Sequence, residues 1–199
     1  MTLRTLSLAL VAGLAMTTNA AAEKLSLNEL SRYLNTLKQA KGSFTQINSD
    51  GTISTGTIFL KRPGRVRFEY NPPEQALVLA GGGAVAIIDK KVKTSEQYPL
   101  KRTPLSIILA QNVNLAQANM VTGHSSDGTS TTVRAQDPEH PEYGNIELVF
   151  TGNPTELRQW RINDDAGNST TVILGELDKS ASLGEMMFSI PFEIDRLER

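Results

Sequence analysis

The sequence predicts a mainly β domain, an antiparallel meander of about eleven strands behind one amphipathic helix. Three observations carry that reading. The hydrophobic period changes from helical to two near residue 42, and it returns to helical spacing only briefly near residue 105. Turn signals then recur along the chain: Asp50-Gly51, Pro63-Gly64, Asn71-Pro-Pro73, Gly81-Gly-Gly83, Asp127-Gly128, Gly152-Asn-Pro154 and Asp165-Ala-Gly167. Finally, no linker, repeat or low-complexity tract interrupts the 199 residues, a length that fits one ordinary domain.

The first segment is an address. A basic start ends at Arg4, residues 6–16 (LSLALVAGLAM) form an apolar run, and small residues lead to Ala22. This is the pattern of a cleaved secretory signal, residues 1–22, with cleavage near Ala22; a cut after Ala20 also fits. Such a run is too short to cross ~30 Å of hydrocarbon as a helix. Residues 23–199 are then the mature single domain.

Ser26-Leu-Asn-Glu29 is a capping box, with Leu27, Leu30, Tyr33, Leu34 and Leu37 on one stripe of a helix over 27–39 and Gly42 as its stop. Strands follow at 44–47, 52–61 and 65–70. In the last of these, Val66, Phe68 and Tyr70 alternate with Arg65, Arg67 and Glu69. Further strands cover 76–80, 84–88 and 92–98. Thr103-Pro104 opens a short apolar helix at 105–109, proline being suited to a first turn, and another helical turn is expected at 114–118. Strands resume at 119–124, 129–135, 145–151, 156–163 and 169–177, and 188–191 reads as an edge strand that tolerates Pro191.

A curled sheet of this size needs its apolar face covered, and the few short helices cannot fill it at ordinary core density. Two packings satisfy the pattern. One is a sandwich with a filled core, which pattern alone favours; the other is an apolar cavity under a helical lid, of the kind that holds greasy ligands.

Composition narrows function. Twenty basic and twenty-one acidic residues leave a formal charge of −1, without the basic excess expected of a nucleic-acid partner. There is no cysteine, hence no disulfide, no thiolate metal site and no thioether-linked lipid anchor. Gly81-Gly-Gly83 lacks the Lys-Ser/Thr of a phosphate loop. His124 and His140 are isolated from other ligands, and Asp164-Asp165 lacks the ladder of a calcium loop. No Gly-x-Ser-x-Gly elbow occurs. Neither enzyme activity, nor a metal, nor a cofactor is expected.

Phe44-Thr-Gln46, then Gly56-Thr-Ile-Phe-Leu-Lys-Arg-Pro63, then Arg67-Phe-Glu-Tyr70 with Pro72-Pro73, and Thr103-Pro104-Leu105 appear in that order. This combination resembles the LolA family of periplasmic lipoprotein carriers. The resemblance implies an unclosed antiparallel β-barrel with a short α-helical lid over a hydrophobic cavity. It implies a monomer in the periplasm that binds acylated lipoproteins as cargo. Such a carrier takes them from an inner-membrane Lol ABC transporter and delivers them to a LolB-type outer-membrane acceptor. A carrier of another lipid or glycolipid, or a LolB-like acceptor, shares the fold.

The family's K-R-P arginine matches Arg62, which implies lid gating there. Period two agrees, since Ile58, Leu60 and Arg62 share one face. The cavity wall is then expected from Ile58, Leu60, Val66, Phe68, Leu79, Ile87, Leu148, Phe150 and Trp160. Leu30, Leu34, Leu37, Ile107 and Ile108 would cap it from the helices. Because residues 84–88 read Ala-Val-Ala-Ile-Ile where the family carries aromatic groups, an aliphatic lining is expected.

Overall fold

The computed structural model describes residues 23–116 and 119–199; the signal segment expected at 1–22 and the end of the turn expected at 114–118 lie outside them. Helix α1 (Leu27–Thr36) leads into β1 (Gln39–Ile47), β2 (Ile53–Lys61), β3 (Arg65–Tyr70), β4 (Ala76–Gly81), β5 (Ala84–Asp89) and β6 (Thr94–Pro99). After a 3₁₀ turn at Leu100–Arg102 and α2 (Leu105–Leu109) come β7 (Val121–Ser126), β8 (Ser130–Gln136), β9 (Asn145–Thr151), β10 (Glu156–Asn163) and β11 (Ser169–Asp178). Helix α3 (Ile190–Glu198) ends the chain. All eleven strands form one antiparallel sheet in the order β6-β5-β4-β3-β2-β1-β11-β10-β9-β8-β7. Two meanders are thus joined by β1 pairing with β11, and β6 and β7 remain as edges, so the sheet curls without closing.

Most strands fall where alternation places them, and two boundaries do not. The serine half of the capping box forms, with the Glu29 amide donating to Ser26 Oγ at 3.2 Å, while the Glu29 carboxylate accepts from Thr155 Oγ1. The helix nevertheless ends at Thr36, before Gly42. That glycine lies inside β1, where a Cβ would sit 2.6 Å from the Glu176 carbonyl oxygen. Close strand approach, and not helix termination, is what requires it. The second correction is at the C-terminus. In place of an edge strand at 188–191 there is a 3₁₀ turn, Glu185–Phe188, followed by α3. Ser189 caps α3 by accepting from the Phe192 amide at 3.4 Å, and Pro191 occupies its first turn.

The sheet buries both faces. On the concave side α1 and α2 pack on Phe44, Ile58, Leu60, Val66, Phe68, Leu148, Phe150 and Trp160 in one cluster. On the convex side Phe59, Leu77, Leu79 and Ile88 pack beneath Leu183, Phe188 and Ile190. This corrects Leu79, expected in the cavity wall. β3 pairs Val66 with Ala80 and Phe68 with Val78, so by the period of two Val78 and Ala80 face inward and Leu79 outward, where it is 0% exposed.

Polar contacts hold the C-terminal segment to the convex face. Arg67 is buried, with Nη1 at 2.9 Å from both Glu193 Oε1 and the Met187 carbonyl, and Nε at 2.6 Å from Glu69. Lys61 Nζ lies 2.7 Å from Glu185, which also accepts from Arg65. Hydrogen bonding from Lys61 and then Arg65 lowers the Glu185 pKa below the ordinary carboxylate range. A depressed carboxylate stabilises docking above its unfolded pKa, about 4.3, and that contribution is lost as pH falls through the lower folded value. Glu185→Gln is therefore expected to reduce amide protection of α3 in hydrogen exchange at neutral pH, with no difference in acid. A difference persisting in acid would remove the ion pairs as its cause.

Candidate functional site

The lid is fixed to the barrel at several named points. At the start of α1, the Leu25 amide donates to Thr131 Oγ1 at 3.0 Å, and its carbonyl contacts His124 Nε2 at 2.9 Å. Thr155 Oγ1 donates to Glu29 at 2.5 Å. Along the helix, Ser31 Oγ accepts from the Leu115 amide at 2.9 Å. Asn35 exchanges two bonds with the Val113 backbone, at 2.8 and 2.9 Å. These contacts join α1 to the segment that follows α2.

Arg62, one residue beyond β2, sits where the two helices end. Its Nη1 donates to the Leu34 carbonyl, in the last turn of α1. Nε and Nη2 donate to the Ala110 carbonyl, the C-cap of α2, at 3.2 and 2.6 Å. Nη2 also reaches Asn35 Oδ1 at 3.4 Å. Carbonyls at helix ends lack intrahelical donors and carry the negative end of the dipole, so a cation there satisfies both helices at once. The residue is 6% exposed, and burial lowers its pKa from the ordinary guanidinium range. The fork geometry of guanidinium, absent in lysine, lets one side chain hold carbonyls from separate elements.

Toward the other ends of the strands, past the start of α2, the concave face is uncovered. α2 has only five residues and does not reach across β3–β6, which leaves a cavity of about 720 Å³ open on one side. That is ample for a small-molecule ligand on the usual range of about 300–1,000 Å³. Phe68, Ile87 and Trp160 line it among the residues expected there, and Ile87 is 45% exposed into it. Ile58, Leu60, Val66, Leu148, Phe150, Leu30, Leu34, Leu37 and Ile108 belong to the same concave cluster, but fill the space between α1 and the sheet. Ile107 packs partly buried against them, and Leu79 lies on the other face.

Several wall residues were not anticipated: Val78, Val85, Ile162 and Val172, with Tyr70, Tyr98 and Tyr143, and a polar part from Gln46, Arg102, Asp164 and Asp165. Tyr70 carried a signal, since it alternates with Val66 and Phe68. The tyrosines correct the expected aliphatic lining. Aromatic edges also organise the wall, Phe44 meeting Phe68 and Tyr70 edge-on at 5.3 and 5.2 Å and Phe68 meeting Trp160 at 6.2 Å. Arg102 and Tyr143 meet at 5.5 Å between guanidinium and ring centre, and both line the cavity.

The family described as outer membrane lipoprotein carrier protein LolA matches residues 35–191, most of the chain including β1–β11 and Arg62. The chain belongs to the LolA family. It is 25% identical over 187 residues to the outer-membrane lipoprotein carrier protein of Neisseria meningitidis serogroup B, with 89% of each chain covered. A protein of the same description from Methylococcus capsulatus is 25% identical over 195 residues, again with 89% of each covered. Among solved structures, a LolA superfamily protein from Nitrosomonas europaea superposes with a TM-score of 0.43 at 6% identity, covering 84% of this chain and 99% of that one.

Proposed function

We propose that this LolA-family chain is a periplasmic carrier that shields the acyl chains of lipoproteins between the inner and outer membranes. The observation that carries the reading is an open apolar cavity next to a lid whose two helix ends are held by one buried arginine. Each CH₂ moved from water into such a wall contributes about 0.8 kcal/mol, so an acyl chain supplies ample binding energy. Release must therefore be coupled to something that opposes binding. Arg62 supplies it. Acyl chains lengthening the cavity toward α1 would displace the helices and break the bonds to Leu34 and Ala110, and closure would restore them on departure. In this scheme Ile58, Leu60, Val66, Leu148, Phe150, Leu30, Leu34, Leu37, Ile107 and Ile108 become wall only when the lid lifts, while Phe68, Ile87 and Trp160 are wall already. An inner-membrane Lol ABC transporter is the proposed donor and a LolB-type protein the proposed acceptor. The carrier works as a monomer without a cofactor.

The test is to purify the processed protein from the envelope and identify co-purifying material by mass spectrometry. Acylated N-terminal peptides are expected in the soluble fraction, on a chain beginning near Glu23. A membrane-integral chain, or a cavity that yields no acylated material, would overturn the reading.

A further inference from the structure

Besides Arg102, Asp164 and Asp165, the cavity wall carries an uncharged polar pair. Gln46 on β1 and Tyr70 on β3 both line it, and the Tyr70 hydroxyl donates to Gln46 Oε1 at 2.7 Å. The pair is the inner end of a polar chain. Gln46 Nε2 donates to Asn48 Oδ1 at 2.6 Å, Asn48 Nδ2 to Thr52 Oγ1 at 2.9 Å, and Thr52 Oγ1 to Asp50 Oδ1 at 2.7 Å.

The carboxylate sets the direction of every bond in that chain. Hydrogen bonds from the Thr52 hydroxyl and then its amide lower the Asp50 pKa, so Asp50 is ionised and can only accept. Thr52 must then donate outward and accept from Asn48, Asn48 must accept from Gln46, and Gln46 must accept from Tyr70. The order fixes the Gln46 amide with its oxygen toward Tyr70. Its Nε2 carries a second proton besides the one given to Asn48. Burial pushes the Tyr70 phenol up to about 12, so it stays a neutral donor across the physiological range. The cavity wall therefore holds an oriented, uncharged N–H donor beside a phenol oxygen whose lone pairs are free. A neutral carbonyl suits such a site. A hydrocarbon or an ether leaves the donor without a good acceptor, at the cost of a desolvated polar group.

We propose that Gln46, oriented by Tyr70 and Asn48, donates a hydrogen bond to the ester carbonyl of an acyl-glyceryl group, so that the cavity prefers ester-linked chains to ether-linked ones. The proposal rests on the reading of the cavity as an acyl site and names the linkage it reads.

The test compares 1-palmitoylglycerol with 1-O-hexadecylglycerol, alike in chain length and headgroup but differing in the carbonyl, as competitors of a fluorescent fatty-acyl probe. The wild-type protein is expected to bind the ester about three- to tenfold more tightly, the range one neutral hydrogen bond supplies. Gln46→Met keeps the volume and removes the donor; it is expected to bring the ratio to about one by weakening the ester, while the ether, with no donor left to desolvate, binds at least as tightly as before. Tyr70→Phe keeps the ring against Phe44 and frees the Gln46 oxygen, and is expected to reduce the ratio partly. Equal binding of ester and ether by the wild type, or an equal loss of both in Gln46→Met, would overturn the inference while leaving the acyl cavity standing. If neither amphiphile displaces the probe, both the inference and the acyl reading fail. Because bilayer phospholipids also carry esters, a diacylglyceryl lipopeptide and a phospholipid of equal chain length are run in parallel. Both are expected to bind more weakly to Gln46→Met than to the wild type, and the tighter of the two identifies which source of ester the cavity takes.

Discussion

Arg62→Leu is expected to fold, to take up acylated cargo at least as well as the wild type, and to lose about tenfold or more in transfer to an acceptor. The fold survives because the sheet carries most of the core on both faces, and the carbonyls that lose the guanidinium belong to helix ends that water reaches when the lid lifts. The change falls on the balance between closed and open lid. Charge-assisted hydrogen bonds contribute about 1.5–3 kcal/mol each, and less where water competes, while about 1.4 kcal/mol is a tenfold shift in an equilibrium. Losing the bonds to Leu34 and Ala110 therefore removes enough to leave the open form dominant. By linkage the same factor that favours the open lid raises affinity for the cargo that requires it. Uptake is preserved and delivery stalls, because departure no longer regains the clamp. Arg62→Lys restores part of the effect, one ammonium being unable to span both helix ends. Transfer from a loaded carrier, with uptake measured alongside, checks this; normal transfer by Arg62→Leu would make the residue a structural tie only.

The largest loss of stability is expected on the opposite face. Arg67 on β3 and Glu193 in the first turn of α3 are each 6% exposed in their side chains and lie 2.9 Å apart. Removing one member leaves a buried charge without its partner, which costs about 3–5 kcal/mol. Arg67→Leu strands Glu193, whose other cation, Arg196, is 3.4 Å away and largely exposed. For a domain of this length each kcal/mol moves Tm by about 2–4 °C, so Arg67→Leu is expected to lower Tm by about 6 °C or more. Arg67→Leu combined with Glu193→Leu should recover most of that, since replacing a buried pair with packed apolar groups is often neutral. A double variant no more stable than the single would show that the packing of α3, and not the uncompensated charge, sets the loss.

How far the sequence carried these conclusions differs by element. Most strands were legible because they alternate over several residues, or form a short apolar run, and end at a turn residue. Gly51, Gly64, Gly128 and Gly167 all take the left-handed backbone that such turns need. The inward phase of Ile58, Leu60 and Arg62 was legible for the same reason. Leu79 was not, because Ala76-Leu-Val-Leu-Ala80 is apolar at every position and alternation assigns no phase to it. That uniformity has a cause: the strand is covered on both faces, by the concave core and by the C-terminal segment. Reading 188–191 as a strand hid the cover, although Ser189 and Pro191 mark a helix start and Ile190, Ile194 and Leu197 share its stripe. Arg62 could be placed on the concave face, where helix-end carbonyls of a lid would serve a cation, but no local pattern says that Leu34 and Ala110 supply them. The same holds for Tyr98 and Tyr143, which reach the cavity from an exposed edge strand and a distant loop.

The central claim, that an acyl chain enters the cavity between β3–β6 and β10–β11, has a built-in reporter. Trp160 is the chain's single tryptophan, it lies in the cavity wall, and its edge contact with Phe68 places it against the proposed ligand. Titrating a lipopeptide with one brominated acyl chain should quench Trp160 emission saturably at one equivalent, and the unacylated peptide should leave it unchanged. Emission that stays constant at saturating brominated lipopeptide would contradict the account.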